Sequence, residues 1–520
     1  MILRLFYMFA AALALALPGA ARAEWHEAKS KHFVIYSDGS QDELRKFATK
    51  VEKFDAAVRV VRKMADPPLG DHGRLTVYVL RDAAAVARMY GGRSGVAGFY
   101  SPRASGSIAF VHRESSSGTP EEYRKFELNA DTVFFHEYFH HMMLSDAHVP
   151  LPRWVVEGFA EFFATATVES DGSVLFGRAA NHRSSGLYSI PDVSLEEMLG
   201  NSFGKLSDEG THELYARSWL LTHYLYGSVE RRGQLDRYLA GIQAGKPAIV
   251  SAREAFGDLK LLDRELNKYL SSKNLAGHLV PAAQVGNPAI EVRRMTASEA
   301  EIMPVRMRSD RGVDEKAAAA VVKQARAVAA KYPNDAFVQG VLAEAEHDVG
   351  DYAAAIAAAD RALVANPKDV QALIYKGRSL MRQGKADPKA TDWSKVRSLF
   401  ARANRIEPEF AEPLMLYYET YGAEGIKAPE TAIKGLLYAV LLAPGDQGLR
   451  MSAVVELIER NRLEEAKTVF VPIAYDPHLN AQWRDRFAQV MAAISAGRGS
   501  EAIALIRAPP PGSAEGKRRS

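Results

Sequence analysis

Five prolines recur at nearly constant distances through the second half of the chain, and each follows a segment with helical periodicity. They are Pro333, Pro367, Pro408, Pro444 and Pro477, and their successive spacings are 34, 41, 36 and 33. Because proline cannot continue a helix, its recurrence marks where successive helices end. A period of about 34 residues is typical of a two-helix repeat, which buries its apolar face only against a neighbouring copy. This spacing predicts an all-α repeat array over residues 313–507.

Small and apolar residues keep a fixed phase relative to these prolines, five, eight and twelve positions before three of them. They are Ala362, Ala403 and Ala439, then Ala359, Phe400 and Leu436, then Ala355, Val396 and Ala432. Gly350 and Gly384 stand at the turns within pairs, and an extra loop at 386–392 accounts for the longest spacing. These residues resemble tetratricopeptide repeats, although an unrelated helical bundle is an alternative. The resemblance implies a solenoid whose surface suits an extended peptide or a protein partner.

Residues 24–275 have a different pattern, in which short strands are mixed with helices. Period-2 and apolar segments predict strands at 32–37, 74–80, 97–100 and 107–112, and an Asp-Gly turn predicts a hairpin within 168–176. Helical periodicity predicts helices at 41–64, 127–144, 153–165, 213–226 and 235–243. We therefore expect an α+β domain over 24–275, an irregular connecting segment over 276–312 and a disordered tail over 508–520.

The N-terminal segment, 1–23, has the layout of a secretory signal peptide. Arg4 precedes an apolar run from Leu5 to Leu17, and the last three positions of the segment match a small-x-small cleavage site. The run is too short to span a bilayer comfortably, so an uncleaved anchor is the less favoured alternative. We expect a chain that is exported, to a periplasm or to the exterior, with no membrane span after cleavage.

The chain contains no cysteine, which excludes thiolate zinc sites, iron–sulfur clusters, cysteine nucleophiles and a disulfide framework. Its net charge is only +3, and nucleic-acid-binding domains usually carry a concentrated basic face. We therefore expect no nucleic-acid partner. A metal ion in this protein must be held by His, Asp or Glu.

Histidine and carboxylate residues with metal-ligand spacing occur on one predicted helix and the helix that follows it. Residues 136–140 are HEYFH, and His136 and His140, four positions apart, share a helix face and can hold one metal ion. Glu137 is one step round the helix, where it can reach a water beside the metal. Glu157 offers a third, oxygen ligand, and Gly158 next to it removes a side chain where two helices would approach closely.

The segment HEYFH followed by WVVEGFAEFF, residues 154–163, resembles the HExxH and W-x-x-E-G-x-A-E pair of peptidase MA-like gluzincins. The resemblance implies a zincin-like metallopeptidase domain that binds Zn²⁺, with Glu137 as general base. It implies three zinc ligands, which are His136, His140 and Glu157. The interval between His140 and Glu157 is slightly shorter than in thermolysin-like relatives. Glu161 is therefore a competing ligand; otherwise it accepts a hydrogen bond from a ligand imidazole.

A third predicted helix carries a polar and aromatic stripe formed by His212, Tyr215, Trp219 and His223. The resemblance implies that Tyr215 donates its hydroxyl to the oxyanion of the reaction, with His212 or His223 as alternatives. Simple packing of the two aromatic rings is the competing interpretation. The strand at 107–112 would pair with an extended peptide if it lies at a sheet edge, and could not if it is interior.

These motifs predict an exported zinc-dependent metallopeptidase-like hydrolase that cleaves peptide bonds, with helical repeats that dock a protein. Two alternatives stay open. The domain is an inactive metallopeptidase-like platform that acts as an interaction scaffold, or it hydrolyses a non-peptide amide with the same residues.

Overall fold

A computed structural model describes residues 24–66, 68–92, 98–113, 126, 129–146, 151–189, 192–204, 206–272, 275–476 and 479–510. The predicted signal peptide, 1–23, and most of the predicted tail lie outside the described residues. Within the described ranges, no helix has the length and apolar character needed to cross a membrane.

The part of the chain that precedes the helical repeats is called the first unit, and a six-stranded mixed sheet forms its centre. Its strands are β1 (His26–Lys29), β2 (Phe33–Ser37), β3 (Leu75–Leu80), β4 (Gly98–Ser101), β5 (Ile108–His112) and β9 (Glu291–Arg294). The spatial order is β4-β5-β3-β2-β1-β9, in which β2, β3 and β5 are parallel and the other neighbours antiparallel. The central strands are buried on both faces, which explains why they are continuous apolar runs in the sequence.

The helices that the structure describes in the first unit follow in chain order between these strands and after them. They are α1 (Gln41–Arg62), α2 (Ala83–Met89), α3 (Ala130–Asp146), α4 (Arg153–Ala164), α5 (Ser184–Tyr188), α6 (Leu195–Gly200), α7 (Asp208–Gly227), α8 (Gln234–Gln243), α9 (Ala248–Phe256) and α10 (Leu259–Leu270). The predicted hairpin forms as β6 (Thr167–Val168) and β7 (Val174–Phe176), which pair antiparallel. Helices α1, α3, α4 and α7 share one apolar core with one face of the large sheet.

The segment 276–312 is not the irregular connection that its prolines and polar residues predicted. It contains β8 (His278–Val280), α11 (Ala282–Val285), β9 and α12 (Ala297–Arg311). Strand β8 pairs with β7, and β9 pairs with β1, so the segment extends both sheets. Met303 and Met307 of α12 pack on the second face of the large sheet. The sequence does not indicate these elements because β9 (EVRR) is an exposed edge strand without apolar alternation, and Pro304 lies inside α12.

The second half consists of successive helices that pack against their neighbours along the chain, as the proline period predicted. They are α13 (Glu315–Ala329), α14 (Ala336–Asp348), α15 (Tyr352–Ala365), α16 (Val370–Gly384), α17 (Trp393–Ile406), α18 (Ala411–Glu424), α19 (Glu430–Leu442), α20 (Gln447–Glu459), α21 (Leu463–Ala474), α22 (Ala481–Ser495) and α23 (Gly499–Arg507). All nine phase residues are buried to within 2% exposure. Gly377 explains one close approach, because a Cβ there would lie 2.6 Å from the Phe400 ring.

The repeats also contact the first unit. Helices α14 and α16 and the start of α18 face the large sheet across a polar cavity of about 570 Å³. At one end of this cavity His72 stacks on Phe410 and bonds through Nδ1 to Glu407 Oε1 at 2.8 Å. The face of the repeats that points toward the sheet is therefore partly covered by the protein's own first unit.

Candidate metal centre

Two adjacent helices are locked in place by aromatic side chains and carry the predicted ligands. Asn129 caps α3 by accepting the Thr132 N–H at 2.8 Å, and the rings of Phe134, Phe135 and Phe139 anchor the helix in the core. Trp154 is fully buried on α4 and donates its indole N–H to the Tyr238 hydroxyl at 3.2 Å. These contacts fix the rotation of both helices, so the intervening polar side chains point toward one another.

Three donor atoms converge between the two helices. The Nε2 atoms of His136 and His140 are 3.0 Å apart, and Glu157 Oε2 lies 3.5 Å and 3.6 Å from them. Zinc bonds to nitrogen and oxygen are about 2.0–2.2 Å long, so tetrahedral ligands lie roughly 3.3 Å from one another. The three observed separations fit that geometry, and the donor set of two imidazoles and one carboxylate suits Zn²⁺.

The surroundings favour an ionised carboxylate that faces partly accessible imidazoles. Glu157 is fully buried, whereas the side chains of His136 and His140 keep 11% and 13% of their exposure. Burial alone would raise the pKa of Glu157, but the two imidazoles outweigh it and hold this pKa well below its usual range. Burial alone would lower the pKa of His136, yet Glu157 and Glu161 raise it to about 10. A metal cation bound between His136, His140 and Glu157 would be attracted by the negative charge of the Glu157 carboxylate.

Glu161 lies on the opposite side of the His136 ring from Glu157. Its Oε1 is 3.1 Å from His136 Nδ1, and the same carboxylate accepts bonds from His182 Nε2 at 2.9 Å and from Arg183 at 2.6 Å. Because the Glu161 carboxylate accepts a hydrogen bond from His136 Nδ1, the proton is held at that nitrogen. The Nε2 atom of His136 then faces His140 and Glu157. Of the two glutamates left open by the sequence, Glu157 faces the Nε2 atoms of both imidazoles, whereas Glu161 contacts His136 at Nδ1.

Tyr215 is the residue of the α7 stripe that stands at this centre. Its ring is inclined by 21° to the His136 ring with 6.0 Å between centroids, and the Arg183 guanidinium lies 5.2 Å from the centroid of the Tyr215 ring. Burial, and then the charge of Glu157, raise the pKa of Tyr215, so the phenol keeps its proton at neutral pH. Trp219 is buried.

The two alternative histidines of the stripe are engaged elsewhere. His223 bonds through Nε2 to the Gly177 carbonyl and through Nδ1 to the Tyr269 hydroxyl, both at 2.8 Å. His212 lies behind the centre, where its Nδ1 faces Arg183 at 3.0 Å. Gly158 does allow a close helix approach, but to α7, because a Cβ there would be 2.5 Å from the Ser218 carbonyl oxygen.

The sheet edge beside α3 is β4 rather than the strand predicted at 107–112. That strand, β5, is interior because it pairs with both β3 and β4. Tyr100 of β4 shares a hydrogen bond with His141 Nδ1 at 2.6 Å. Burial raises the pKa of Tyr100, and the charge of Glu137 raises it further.

A second group of histidine and carboxylates is formed by residues of α1 and of the segments next to β2 and after α1. His32 Nδ1 bonds to Glu52 Oε2 at 2.8 Å and lies 3.3 Å from Asp55, and His32 Nε2 bonds to Asp66 Oδ1 at 2.9 Å. Asp55 also accepts hydrogen bonds from Arg59 at 2.7 Å and from the Tyr138 hydroxyl at 2.8 Å. These atoms lie close enough to bind a metal ion, but hydrogen bonds inside the cluster already use them.

Several residues of the centre carried no signal in the sequence. His182 and Arg183 lie in a short turn after the hairpin, and Tyr100 lies on a four-residue strand. Each reaches the centre only through tertiary packing. Their residue types are compatible with a polar site, but no spacing relates them to the HEYFH segment.

No known protein-family model matches the chain, and no curated protein matches it. Among solved structures, the chain is similar to a thermophilic tetratricopeptide-repeat protein of Thermus thermophilus. The identity is 15% and the TM-score 0.30, and the match covers 37% of this chain and 98% of that chain. No activity follows from this similarity.

Proposed function

We propose that the first unit is a zinc-dependent hydrolase of peptide bonds, of the gluzincin type that the motifs resemble. The observation that carries the proposal is the convergence of His136 Nε2, His140 Nε2 and Glu157 Oε2 at separations suited to one tetrahedral ion. The chemistry supplied at such a centre is Lewis acidity toward a water molecule and a carbonyl oxygen.

The residues of this chain have separate tasks in the proposed reaction. Glu137 accepts a proton from the attacking water and returns it to the leaving amine. Tyr215 keeps its phenolic proton and donates a hydrogen bond to the oxygen on which negative charge develops. Glu161 orients His136, and its own carboxylate is held by His182 and Arg183.

Strand β4 supports a peptide as the substrate. In the described part of the sheet it is the outer strand on the side of α3, and an outer strand presents backbone groups that can pair with an extended chain. The substrate class proposed is therefore a polypeptide in extended form, which enters beside Glu137.

The test is zinc content and peptide cleavage by the chain from residue 24 onward. Glu137→Gln should keep stoichiometric zinc and lose cleavage of a peptide library by about 10²- to 10⁴-fold, the range for a general base. Glu169→Gln, the same change at a half-exposed position that bonds Arg178, should alter neither. A zinc-free wild-type chain, or a Glu137→Gln variant as active as the wild type, would contradict the proposal.

The second candidate is an inactive platform that acts as a protein-interaction scaffold. The helical repeats favour it, because stacked helix pairs present broad surfaces for protein partners. Under this hypothesis the Glu137→Gln variant would be indistinguishable from the wild type in every assay. For either candidate we propose export, on the basis of the signal-peptide pattern at the N-terminus.

A further inference from the structure

The turn between β4 and β5, residues 102–107, is inserted into the repeats. Ala104 is only 2% exposed and belongs to an apolar cluster formed otherwise by α18, α19 and α20. Its cluster partners include Ala411, Leu436 and Leu449. A turn at the surface of one unit is thus part of the core of the other, although the two segments are far apart in sequence.

Asp446 joins the turn to the repeats because its two carboxylate oxygens accept hydrogen bonds from different segments. Its Oδ1 accepts the Leu449 N–H at 2.9 Å and so caps α20. Its Oδ2 accepts the Ala104 N–H at 2.7 Å. The helix cap and the docked turn therefore share one side chain, but they use different oxygens.

Arg103 makes a second attachment at the end of α12. Its guanidinium donates to the carbonyl oxygen of Arg311 at 2.6 Å and to that of Asp310. These are carbonyls of the last turn of the helix, where a cation is favoured by the helix dipole. The turn is therefore held by the repeats on one side and, on the other, by α12, which packs on the large sheet.

The strand that leads into this turn lies against the candidate metal helix. Gly98 of β4 is packed so closely on α3 that a Cβ would lie 2.9 Å from Val133. Tyr100, two positions further along, meets His141, the neighbour of His140. Because β4 is short and pairs, among the described strands, with β5 alone, its position depends on what holds its ends.

We propose that the repeats position β4 beside the metal helix by holding the 102–107 turn, with Asp446 as the positioning residue on the repeats and Arg103 as a second attachment, to α12. The structural coupling does not depend on catalysis, whereas its effect on peptide binding rests on the proposed function. The partner of this face of the repeats is thus the chain's own turn, and the repeats control the edge at which an extended substrate would bind.

Asp446→Asn tests the coupling with little disturbance of the repeats. Asparagine caps a helix as well as aspartate does, so Oδ1 continues to serve Leu449, while an amide NH₂ replaces the acceptor of the Ala104 N–H. Asp392→Asn is the matched control, since Asp392 caps α17 through the Lys395 N–H at 3.0 Å and is exposed. Ala104→Arg disrupts the contact between the turn and the repeats from the side of the turn, and it leaves Asp446 unchanged.

Amide hydrogen exchange of residues 98–101 in the full chain is the primary measurement. Both Asp446→Asn and Ala104→Arg should accelerate this exchange by about five- to tenfold, the change expected from loss of one buried hydrogen bond. Asp392→Asn should leave it at the wild-type rate. Unchanged exchange in both test variants, or the same acceleration in the control, would overturn the proposal.

The kinetic arm separates the coupling from the proposed function. Asp446→Asn should keep its zinc and show a KM for peptides that is severalfold higher, with kcat within about twofold, because binding rather than chemistry is weakened. If the wild type binds no zinc and cleaves no peptide, the proposed function fails and the exchange comparison alone decides the coupling. If exchange accelerates while KM is unchanged, β4 is positioned by the repeats but does not bind substrate, which overturns the functional part of the proposal.

Discussion

Among the described residues of the first unit, two clusters combine histidine with carboxylates in a geometry that could hold a metal ion, and they differ in their hydrogen-bond partners. The first cluster consists of His136, His140 and Glu157. Its two imidazole nitrogens face each other at 3.0 Å, and a carboxylate oxygen lies beside both. In the cluster of His32, Glu52, Asp55 and Asp66, the imidazole lies between carboxylates and bonds to one with each nitrogen.

The difference concerns proton donors rather than the number of ligands. Arg59 and Tyr138 donate to Asp55, Lys31 pairs with Asp66, and the His32 backbone N–H donates to Glu52 at 2.7 Å. The carboxylates of this second cluster therefore already have donors within the protein. In the first cluster, the Nε2 atoms of His136 and His140 face each other, and one divalent cation would bind both of them. Proximity of acids and histidines is therefore a weaker criterion for a metal site than the identity of their hydrogen-bond partners.

The largest expected effect is loss of metal from the first cluster. His140→Ala and Glu157→Ala each remove one of the three proposed ligands, so zinc affinity should fall by more than the roughly 10- to 100-fold typical of outer-shell changes. Elemental analysis after dialysis against a chelator measures it. Glu52→Gln is the matched control in the second cluster and should keep wild-type zinc content. Metal loss in Glu52→Gln with retention in Glu157→Ala would reverse the assignment of the two clusters.

The second cluster should instead matter for stability. Asp55→Ala leaves Arg59, Tyr138 and His32 without a fully buried carboxylate partner, so the free energy of unfolding should fall by about 3–5 kcal/mol. Urea unfolding followed by circular dichroism provides the measurement, with Asp171→Ala in the exposed hairpin turn as control. Zinc content per folded chain should be unchanged. A loss below about 1 kcal/mol would show that the cluster is not the internally compensated network described above.

Glu161→Gln is expected to have an intermediate effect. The amide keeps the volume of the side chain but weakens the bonds with His136 Nδ1, His182 and Arg183, so the His136 ring loses its fixed orientation. Zinc affinity, measured by competition with a chromogenic chelator, should fall about 10- to 100-fold. A complete loss, equal to that of Glu157→Ala, would instead identify Glu161 as a ligand.

The helical parts of the fold and the centre could be predicted because they depend on local periodicity. His136 and His140 share a face of one helix, and Glu157 follows at a fixed phase from Trp154 on the next helix. The repeats could be predicted for the same reason, since each buried phase residue lies at a constant distance from a proline.

Features formed by residues distant in sequence could not be predicted. Strand β9 joins the large sheet beside β1 from the far end of the first unit, with a polar sequence that has no strand periodicity. Arg183 reaches Glu161 from a turn, and Ala104 reaches Asp446 across the boundary between the two units. Single-sequence patterns report which residues share a face, but not which faces come together.

The smallest expected effect is a pH dependence confined to the second cluster. Burial lowers the pKa of His32, but Glu52, Asp55 and Asp66 outweigh it and raise this pKa above 6.5. The stabilisation by protonated His32 is therefore fully present below pH 6.5 and is lost as the pH rises through the raised value. Wild type should lose on the order of 1 kcal/mol relative to His32→Gln, which cannot titrate, between pH 6 and pH 9 in urea unfolding. A stability difference that is constant or grows with pH would mean that Glu52, Asp55 and Asp66 do not favour the protonated form of His32 in the folded state.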